Sequence, residues 1–228
     1  MADVLTPEQM ARRVAAELQD GQYVNLGFGM PLLVGNCLPP GRDVIIHTEN
    51  GMLGVGPVAT PGAEDPDLVN AGKQHVTERP GAAYFAQSDS FAMIRGGHID
   101  VSILGAYQVA ENGDLANWAV PGERIPRVGG AMDLAAGAKQ VIAVMTHVTK
   151  QGDPKLLRRC TLPLTGLGCV DLVVTDIAVV AVTPEGFVLR EVAPGWTPAL
   201  VQERTEAPLR LSPALREMTS EVVSGSAR

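Results

Sequence analysis

The chain has 228 residues, of which 46% are apolar and only 4% aromatic, and its formal net charge is −7. No run of apolar residues is longer than six, which excludes a membrane-spanning helix and predicts no membrane partner. The acidic balance and the few aromatic residues argue against nucleic acid as a partner, because nucleic-acid sites need basic patches.

Cysteine and histidine usage predicts neither disulfides nor a metal site. The cysteines are odd in number and no pair has C-x-x-C spacing, so reduced thiols in a cytoplasmic protein are expected. The first turn is acidic and polar, which predicts no secretory signal. No two histidines are spaced four apart beside a carboxylate, so no metal is predicted. The residues concerned are Cys37, Cys160, Cys169, His47, His75, His98 and His147.

The N-terminal segment carries a strong helix signal. Thr6 is a predicted N-cap, Pro7 takes the first helical position, Gln9 completes a capping box, and Gly21 ends the helix. The change of period after Gly21 predicts a short strand over residues 23–26.

A glycine turn follows this strand. Gly27-Phe28-Gly29 leads to Pro31, which starts a predicted second helix. The third glycine of a dinucleotide-binding fingerprint would fall at Leu32, so the full motif is absent. What remains is a helix N-terminus, whose free N–H groups suit an anion or a polarised oxygen.

The rest of the chain alternates strands with helices and turns. Strands are predicted over residues 43–48, 99–106 and 140–147, and over residues 170–192 with a hairpin turn at 184–186. Helices are predicted over residues 65–72, 90–97 and 129–139, after an N-cap at Thr197, and beyond about residue 212. This alternation predicts an α/β fold with an open, mostly parallel sheet and helices on both faces. We predict a single domain over residues 1–211 and a partly helical or frayed tail over residues 212–228.

The tripeptide Glu-Asn-Gly occurs twice, at residues 49–51 and 111–113. Asn-Gly between apolar stretches favours a hairpin, and the second copy, followed by Asp114, is interpreted as one. The first copy follows a continuous apolar run at residues 44–46, which is typical of a buried central strand. The glycines that come next are poor material for a return strand and suit a backbone that passes close to a ligand.

Glu49 therefore has two interpretations. It is either a turn residue or a functional carboxylate at the carboxyl end of a central strand, where α/β sheets bind ligands. A carboxylate in such a place acts in general acid–base chemistry or as a nucleophile that forms a covalent intermediate.

The segment "HTENGMLGVGP" resembles the Ser-Glu-Asn-Gly signature of the B (β) subunit of family I CoA-transferases of the 3-oxoacid type. Other segments are similar to family segments in the family's order, so the resemblance covers roughly residues 5–209. These segments are "DPDLVNAGKQ", "DSFAMIRGGHIDVSILGAYQVAENGDLANW", "GGAMDLAAGAK", "LLRRCTLPLTG" and "TEAP". Several long segments in order are far more specific than one tripeptide.

The resemblance implies a fold, a reaction and a nucleophile. The fold is the open α/β fold shared by CoA-transferases and some sugar-phosphate isomerases. Glu49 matches the catalytic glutamate, which would attack an acyl-CoA to give a mixed anhydride and then a glutamyl-CoA thioester. CoA thioesters are then substrates, and no permanently bound cofactor is implied.

The resemblance also assigns roles around Glu49. Asn50 and Gly51 would shape the loop around the nucleophile, and Gly129, Gly130 and Ala131 match a segment that faces the thioester and CoA. All five also fit simple turn chemistry.

Two further residues are candidates for lining the site. His47 lies two residues before Glu49 and would share its face of an extended strand, although a hydrogen-bonded core histidine is the competing interpretation. Gln108 is the second candidate.

Three positions depart from the family pattern. Thr48 stands where serine is usual, Arg127-Val128 stands where Gly-Met is more common, and Thr146 replaces a common glutamate.

The resemblance implies a missing partner. The family enzyme needs an A (α) subunit, so an obligate heteromer is expected, with α2β2 stoichiometry and no activity of this chain alone. Acetoacetate with succinyl-CoA, 3-oxoadipate with succinyl-CoA, and acetate with acetoacetyl-CoA all fit, which corresponds to ketone-body or aromatic catabolism.

Three other functions compete with CoA transfer. An acyl-CoA hydrolase would use Glu49 as a general base for water. A sugar-phosphate isomerase would need a basic phosphate clamp that the acidic chain does not show, and a non-catalytic binding subunit would have no use for Glu49.

Overall fold

The computed structural model describes residues 3–122 and 129–219. The helices in this part are α1 (Pro7–Ala15), a 3-10 helix (Met30–Asn36), α2 (Gln87–Arg95), α3 (Ala131–Gly137) and α4 (Pro198–Gln202). The strands are β1 (Tyr23–Leu26), β2 (Ile45–Thr48), β3 (Met52–Val58), β4 (Val76–Tyr84), β5 (Val101–Gly105), β6 (Gln108–Ala110), β7 (Leu115–Ala116), β8 (Gln140–Met145), β9 (Leu156–Leu157), β10 (Leu172–Thr175), β11 (Ala178–Thr183), β12 (Gly186–Val192) and β13 (Leu209–Glu217). None of the helices described is long and apolar enough to cross a membrane.

One large mixed sheet dominates the fold. Its order is β13-β12-β11-β10-β8-β5-β1-β2-β3-β4, and a small second sheet has the order β7-β6-β9. The five central strands, from β10 to β2, are parallel, while β11 and β3 join antiparallel on either side. The predicted α/β class with a mostly parallel sheet is therefore confirmed, with antiparallel additions at both flanks.

Helical elements cover both faces of the sheet. α1 packs against the 3-10 helix, and α2 packs against α3. The chain moves from β1 to β2 through the 3-10 helix, and then returns across β1 to β5 through α2. Because such crossovers are right-handed, connections that run in opposite directions lie on opposite faces.

This path creates a switch point at β1, whose two neighbours in the sheet are β2 and β5. Ligands in open α/β sheets bind at the carboxyl edge near such a point. The carboxyl ends of β1, β2 and β5 lead into Gly27, Glu49 and Ala106, respectively. Glu49 therefore lies at the edge where this architecture builds sites.

Local signals near both ends of the chain were predicted well. The capping box of α1 is present, with Gln9 N donating to Thr6 Oγ1 (3.2 Å) and Thr6 N donating to Gln9 Oε1 (2.7 Å). The Thr197 hydroxyl caps α4 by accepting from Leu200 N (3.3 Å). α1 ends at Ala15, before the predicted stop at Gly21.

Two predicted helices in the first half differ from the structure. The helix at Pro31 is a 3-10 helix, because its seven residues include Pro31 and Gly35, both poor α-helix formers. Residues 65–72 form turns and a bridge between Val69 and His75, so the helix predicted there was wrong. Asn70 Oδ1 accepts from Gln74 N (3.0 Å), a local bond that competes with the helix.

The helix predicted beyond residue 212 was also wrong. Residues 209–217 form β13, which runs parallel to β12 at the edge of the large sheet and crosses the expected boundary at residue 211. Pairing with β12 supplies the backbone hydrogen bonds that this segment would otherwise need from a helix. The last part of the predicted tail, residues 220–228, lies outside the described residues.

A buried ion-pair cluster attaches α1 to β12 and β13. Glu191 on β12 accepts from Arg13 Nε (2.6 Å) and from Arg216 Nη2 (2.6 Å), and Arg13 also bonds Glu17 (2.6 Å). The side chains of Arg13 and Glu191 are 4% and 3% exposed. Burial alone would raise the pKa of Glu191, but the hydrogen bonds and charges of Arg13 and Arg216 outweigh burial and lower it.

We expect Glu191→Gln to lower the free energy of unfolding by about 3 kcal/mol, since Arg13 would stay buried without its main counter-ion. Because the pKa of Glu191 is lowered on folding, its contribution is present above the unfolded value of 4.5 and is lost as pH falls through the folded value. Urea unfolding at several pH values checks both effects. Glu185→Gln is the matched control, because the Glu185–Arg210 pair is exposed and should contribute within ~0.5 kcal/mol. Equal losses in the two variants would contradict the prediction.

Candidate active site

The Glu49 turn links two strands of the large sheet. Residues 49–51 form a three-residue loop between β2 and β3, with Thr48 opposite Met52 and Gly51 N donating to Thr48 O (3.1 Å). The expectation that no return strand follows Glu49 was therefore wrong, because β3 pairs antiparallel with β2. Glu49 is a hairpin residue and, at the same time, a carboxylate at the carboxyl end of a central strand.

The Glu49 carboxylate lies against the start of α3. The backbone N–H of Gly130 donates a hydrogen bond to it, and a Cβ on Gly130 would overlap Glu49 Oε2. The Phe91 ring of α2 closes the same space, with Cζ 3.1 Å from that Cβ position. Burial raises the pKa of Glu49, the Gly130 bond partly offsets this, and the charge of Asp133 adds to it. The result is a half-buried carboxylate with one fixed N–H donor.

The glycine segment predicted to face the substrate reaches Glu49 from far along the chain. Gly130 is the N-cap residue of α3, and Ala131 is its first helical residue. Gly129 precedes them with φ +52°, and no atom lies within 4 Å of a Cβ built there. Residues 127 and 128, the predicted departure from the family pattern, lie outside the described residues. Of this segment, Gly130 is the residue that bonds the carboxylate.

Asn50 and Gly51 hold the shape of the turn. Asn50 is exposed and its Nδ2 donates to Val69 O (2.8 Å), which ties the turn to a neighbouring loop. Gly51 has φ +123°, accepts a bond from Phe85 N (3.0 Å), and leaves no room for a Cβ beside Phe85 O. Only glycine fits this close approach.

The glycines of β3 serve another strand, which corrects the expectation that they approach a ligand. A Cβ on Gly54 would lie 3.0 Å from Ala82 Cα, and one on Gly56 would overlap the Thr77 side chain, both on β4. These glycines therefore allow the close, irregular pairing of β3 with β4.

His47 is a buried core histidine next to the site. Its Nδ1 lies 2.9 Å from Asn25 Nδ2, its Nε2 lies 2.8 Å from Ser90 Oγ, and its ring stacks on Phe85. Burial lowers the pKa of His47 to about 4, so the ring is neutral at neutral pH. Both ring nitrogens face protein groups, which favours the core interpretation over a residue that contacts substrate.

Gln108 has partners elsewhere. Its Oε1 accepts from Thr161 N (2.8 Å) and Leu162 N (3.0 Å), so it fixes the loop after β9. No hydrogen bond joins Gln108 to Glu49 among the described residues. The second Glu-Asn-Gly copy, residues 111–113, forms the predicted hairpin between β6 and β7.

A cavity of ≈ 30 Å³ lies between β2, the 3-10 helix and the loop at residues 70–74. Thr48 lines it, and its buried Oγ1 has no partner among the described residues. The space is large enough for a water molecule. The hydroxyl that Thr48 keeps in place of serine therefore has no hydrogen bond to Glu49.

Three residues around Glu49 were not singled out from the sequence. Phe91 shields the carboxylate, while Asn25 and Ser90 hold His47. Asn25 carried a signal, since it is a polar residue inside the short apolar strand β1. Ser90 and Phe91 carried none, because their importance depends on which element packs beside α2.

These contacts limit the chemistry of the site. A carboxylate that is ionised needs no base to activate it as a nucleophile. A fixed backbone N–H beside it can stabilise an oxyanion that develops on an attacked carbonyl. The same carboxylate can instead take a proton from water. The geometry therefore supports acyl chemistry centred on Glu49.

Comparison with known proteins relates the chain to one family. The sequence model of the family described as coenzyme A transferase matches residues 7–204. The chain is 56% identical over 189 residues to the B subunit of the 3-oxoadipate CoA-transferase of Pseudomonas putida, covering 82% of this chain and 88% of that protein. It is 48% identical over 212 residues to the mitochondrial succinyl-CoA:3-ketoacid coenzyme A transferase 2 of Homo sapiens, covering 92% of this chain and 41% of that protein.

A solved structure gives the same fold. An acyl-CoA transferase apoenzyme from Escherichia coli O157:H7 matches with a TM-score of 0.78 at 23% identity, over 97% of this chain and 44% of that chain.

Proposed function

The chain belongs to the coenzyme A transferase family, and we propose that it is the B subunit of a 3-oxoacid CoA-transferase with Glu49 as nucleophile. The observation that carries the proposal is the half-buried Glu49 carboxylate, held against the Gly130 N–H at the carboxyl edge of the sheet. The proposed reaction moves CoA between an acyl-CoA and a 3-oxo acid.

The reaction proceeds in two halves with Glu49 as the carrier. The Glu49 carboxylate attacks the thioester carbonyl of the donor, and the C–S bond breaks to give a mixed anhydride and CoA thiolate. The thiolate then attacks the glutamyl carbonyl, which releases the donor's carboxylate and leaves a glutamyl-CoA thioester. The acceptor acid reverses both steps and regenerates Glu49. Each half conserves the thioester bond energy that hydrolysis would release.

The surroundings of Glu49 support this chemistry. The Gly130 N–H is fixed by α3 and points at the carboxylate, so it can also stabilise the oxyanion formed when the glutamyl carbonyl is attacked. Phe91 limits the access of water on one side, which favours transfer over hydrolysis.

A second chain is needed in this proposal. The chain matches 41% of the human relative and 44% of the E. coli chain, so the larger part of each protein has no counterpart here. We assign that part to an A subunit in a heteromer, with α2β2 as the proposed stoichiometry. The acceptor is proposed to be 3-oxoadipate or acetoacetate with succinyl-CoA as donor, in the reducing cytoplasm that the three free thiols fit.

Intact-mass spectrometry tests the proposal directly. The chain, copurified with its A subunit and mixed with succinyl-CoA without an acceptor, is expected to gain the mass of CoA less water. Added 3-oxoadipate or acetoacetate should then remove the adduct and yield the corresponding acyl-CoA. The acceptor that removes it faster identifies the substrate.

Hydrolysis is the competing outcome. If the mass stays unchanged while succinyl-CoA is consumed and free CoA accumulates, Glu49 acts as a general base and the transferase proposal is wrong.

A further inference from the structure

Three polar side chains form a buried row beneath the Glu49 turn. Asn25 lies on β1, His47 on the neighbouring strand β2, and Ser90 on α2, and their exposed fractions are 2%, 1% and 0%. Buried polar groups are costly unless they are hydrogen-bonded, so a fully connected row holds its elements in one arrangement.

The hydrogen bonds fix the direction of this row. Asn25 Nδ2 donates to His47 Nδ1 (2.9 Å) and also approaches the His47 carbonyl (3.4 Å), which only the amino group of the amide can do. His47 Nδ1 is therefore the acceptor, and Nε2 carries the proton and donates to Ser90 Oγ (2.8 Å). The Ser90 hydroxyl then donates to the Thr48 carbonyl (3.5 Å). This carbonyl also accepts from Gly51 N and so closes the Glu49 turn.

The His47 ring reaches the same turn by a second route. It stacks on Phe85 with the ring centroids 6.1 Å apart and an interplanar angle of 11°. Phe85 N donates to the carbonyl of Gly51, the last residue of the turn (3.0 Å). His47 thus supports both ends of the loop that presents Glu49.

α2 connects this row to the Gly130 side of the site. Ser90 precedes Phe91, whose ring lies beside Gly130 and the Glu49 carboxylate. α2 also holds α3 through the bond from Arg95 Nε to Asp133 Oδ1 (2.7 Å). The nucleophile and its N–H donor are therefore both referred to α2, and His47 Nε2–H is the bond that joins β2 to it.

We propose that His47 is a positioning residue that holds the Glu49 turn in register with Gly130 through Ser90 and Phe85. It exchanges no proton with the substrate. This role rests on the proposed function, in which Glu49 is the nucleophile. A displaced nucleophile loses rate although it still binds substrate, because a shift of about 1 Å from the reactive geometry costs on the order of 10²-fold.

The experiment measures formation of the glutamyl-CoA thioester on the chain copurified with its A subunit, together with steady-state kcat and KM. We expect His47→Leu to lower kcat about 100-fold and leave KM within about twofold, since binding is not removed. His47→Gln should restore kcat to within about fivefold of wild type, because its amide can donate to Ser90 and has no ionisation near neutral pH. Ser90→Ala, which favours the helix and removes only the hydroxyl, should lower kcat about tenfold.

His147 offers a matched control. It is also fully buried, between Thr175 Oγ1 (2.9 Å) and Thr205 Oγ1 (2.8 Å), but it follows β8, three strands from β2 and so roughly 14 Å away. His147→Leu should lower the melting temperature as His47→Leu does, with kcat unchanged. An equal loss of kcat in both leucine variants would assign the effect to general destabilisation and overturn the proposal.

Other outcomes also decide the matter. If His47→Leu forms the thioester at the wild-type rate, His47 has no positioning role, although the proposed function stands. If His47→Gln is as slow as His47→Leu, the donor bond to Ser90 is not what matters. If His47→Leu does not fold, Ser90→Ala carries the test, and a wild-type kcat there overturns the proposal. Absence of any thioester on the wild-type chain removes the proposed function, and the positioning role with it.

Discussion

Glu49→Gln is expected to abolish formation of the CoA adduct and to lower CoA transfer about 10⁴-fold or more, because the amide cannot form the anhydride. The variant should nevertheless fold, since the glutamine Oε1 can still accept the Gly130 N–H bond. Intact-mass spectrometry and a transfer assay on the complex with the A subunit measure both effects. The best control is Glu111→Gln, which makes the same change in the second Glu-Asn-Gly tripeptide, where residues 111–113 form a hairpin of the small sheet.

The same variant should be more stable than the wild type at neutral pH. Burial raises the pKa of Glu49 above its unfolded value of 4.5, so the folded chain holds this proton more tightly than the unfolded chain does. The stabilising contribution is therefore fully present below pH 4.5 and is lost as pH rises through the folded value. Thermal unfolding should show an advantage for Glu49→Gln at neutral pH that disappears in acid. Transfer by the wild type should show the opposite dependence and rise through the same pKa, because only the carboxylate attacks.

A transfer rate close to wild type in Glu49→Gln, or a loss as large in Glu111→Gln, would contradict this prediction. The first result would show that another group carries the acyl chemistry. The second would show that the tripeptide matters as a turn and not as a nucleophile.

Local sequence signals predicted the fold class because they reflect burial and capping along single elements. The continuous apolar run at residues 44–46 correctly indicated a central strand, and the capping box of Thr6 and Gln9 correctly placed the start of α1. The same signals do not say what packs beside an element. Gly54 and Gly56 were expected to approach a ligand, but they approach β4, because a glycine indicates close contact without naming its partner.

The site could be predicted only in part. From spacing alone Glu49 remained either a turn residue or a functional one, and the structure shows that a hairpin turn can present a carboxylate. The Gly130 N–H could not be placed beside it from local signals, because residues 49 and 130 meet only through the packing of α2 on α3. The resemblance to CoA-transferases selected that glycine segment, but it did not reveal Phe91 or the His47–Ser90 bond.

Gly130→Ala is expected to lower thioester formation about 10³-fold with little loss of stability. The φ angle of Gly130 is −87°, which alanine adopts without strain, so the backbone tolerates the change. The new Cβ would overlap Glu49 Oε2 and press on Phe91, and the carboxylate would have to leave the N–H donor. Misplacement of the nucleophile and loss of an oxyanion donor each cost on the order of 10²-fold or more. Because the Gly130 bond lowers the pKa of Glu49, its loss should also move the acid limb of the pH–rate profile to higher pH.

Gly129→Ala is the natural comparison because its two effects should be reversed. A Cβ there meets no atom within 4 Å, but φ is +52°, so alanine should cost about 1 kcal/mol of stability and leave the carboxylate in place. Rates of thioester formation and urea unfolding of both variants, in the complex with the A subunit, give a crossed pattern if the geometry is right. Gly130→Ala should be slow and stable, whereas Gly129→Ala should be less stable and lose at most about tenfold in rate. If Gly130→Ala forms the thioester at the wild-type rate, contact between Gly130 and the nucleophile has no part in catalysis. If both variants lose rate and stability in proportion, the segment acts only as a structural turn.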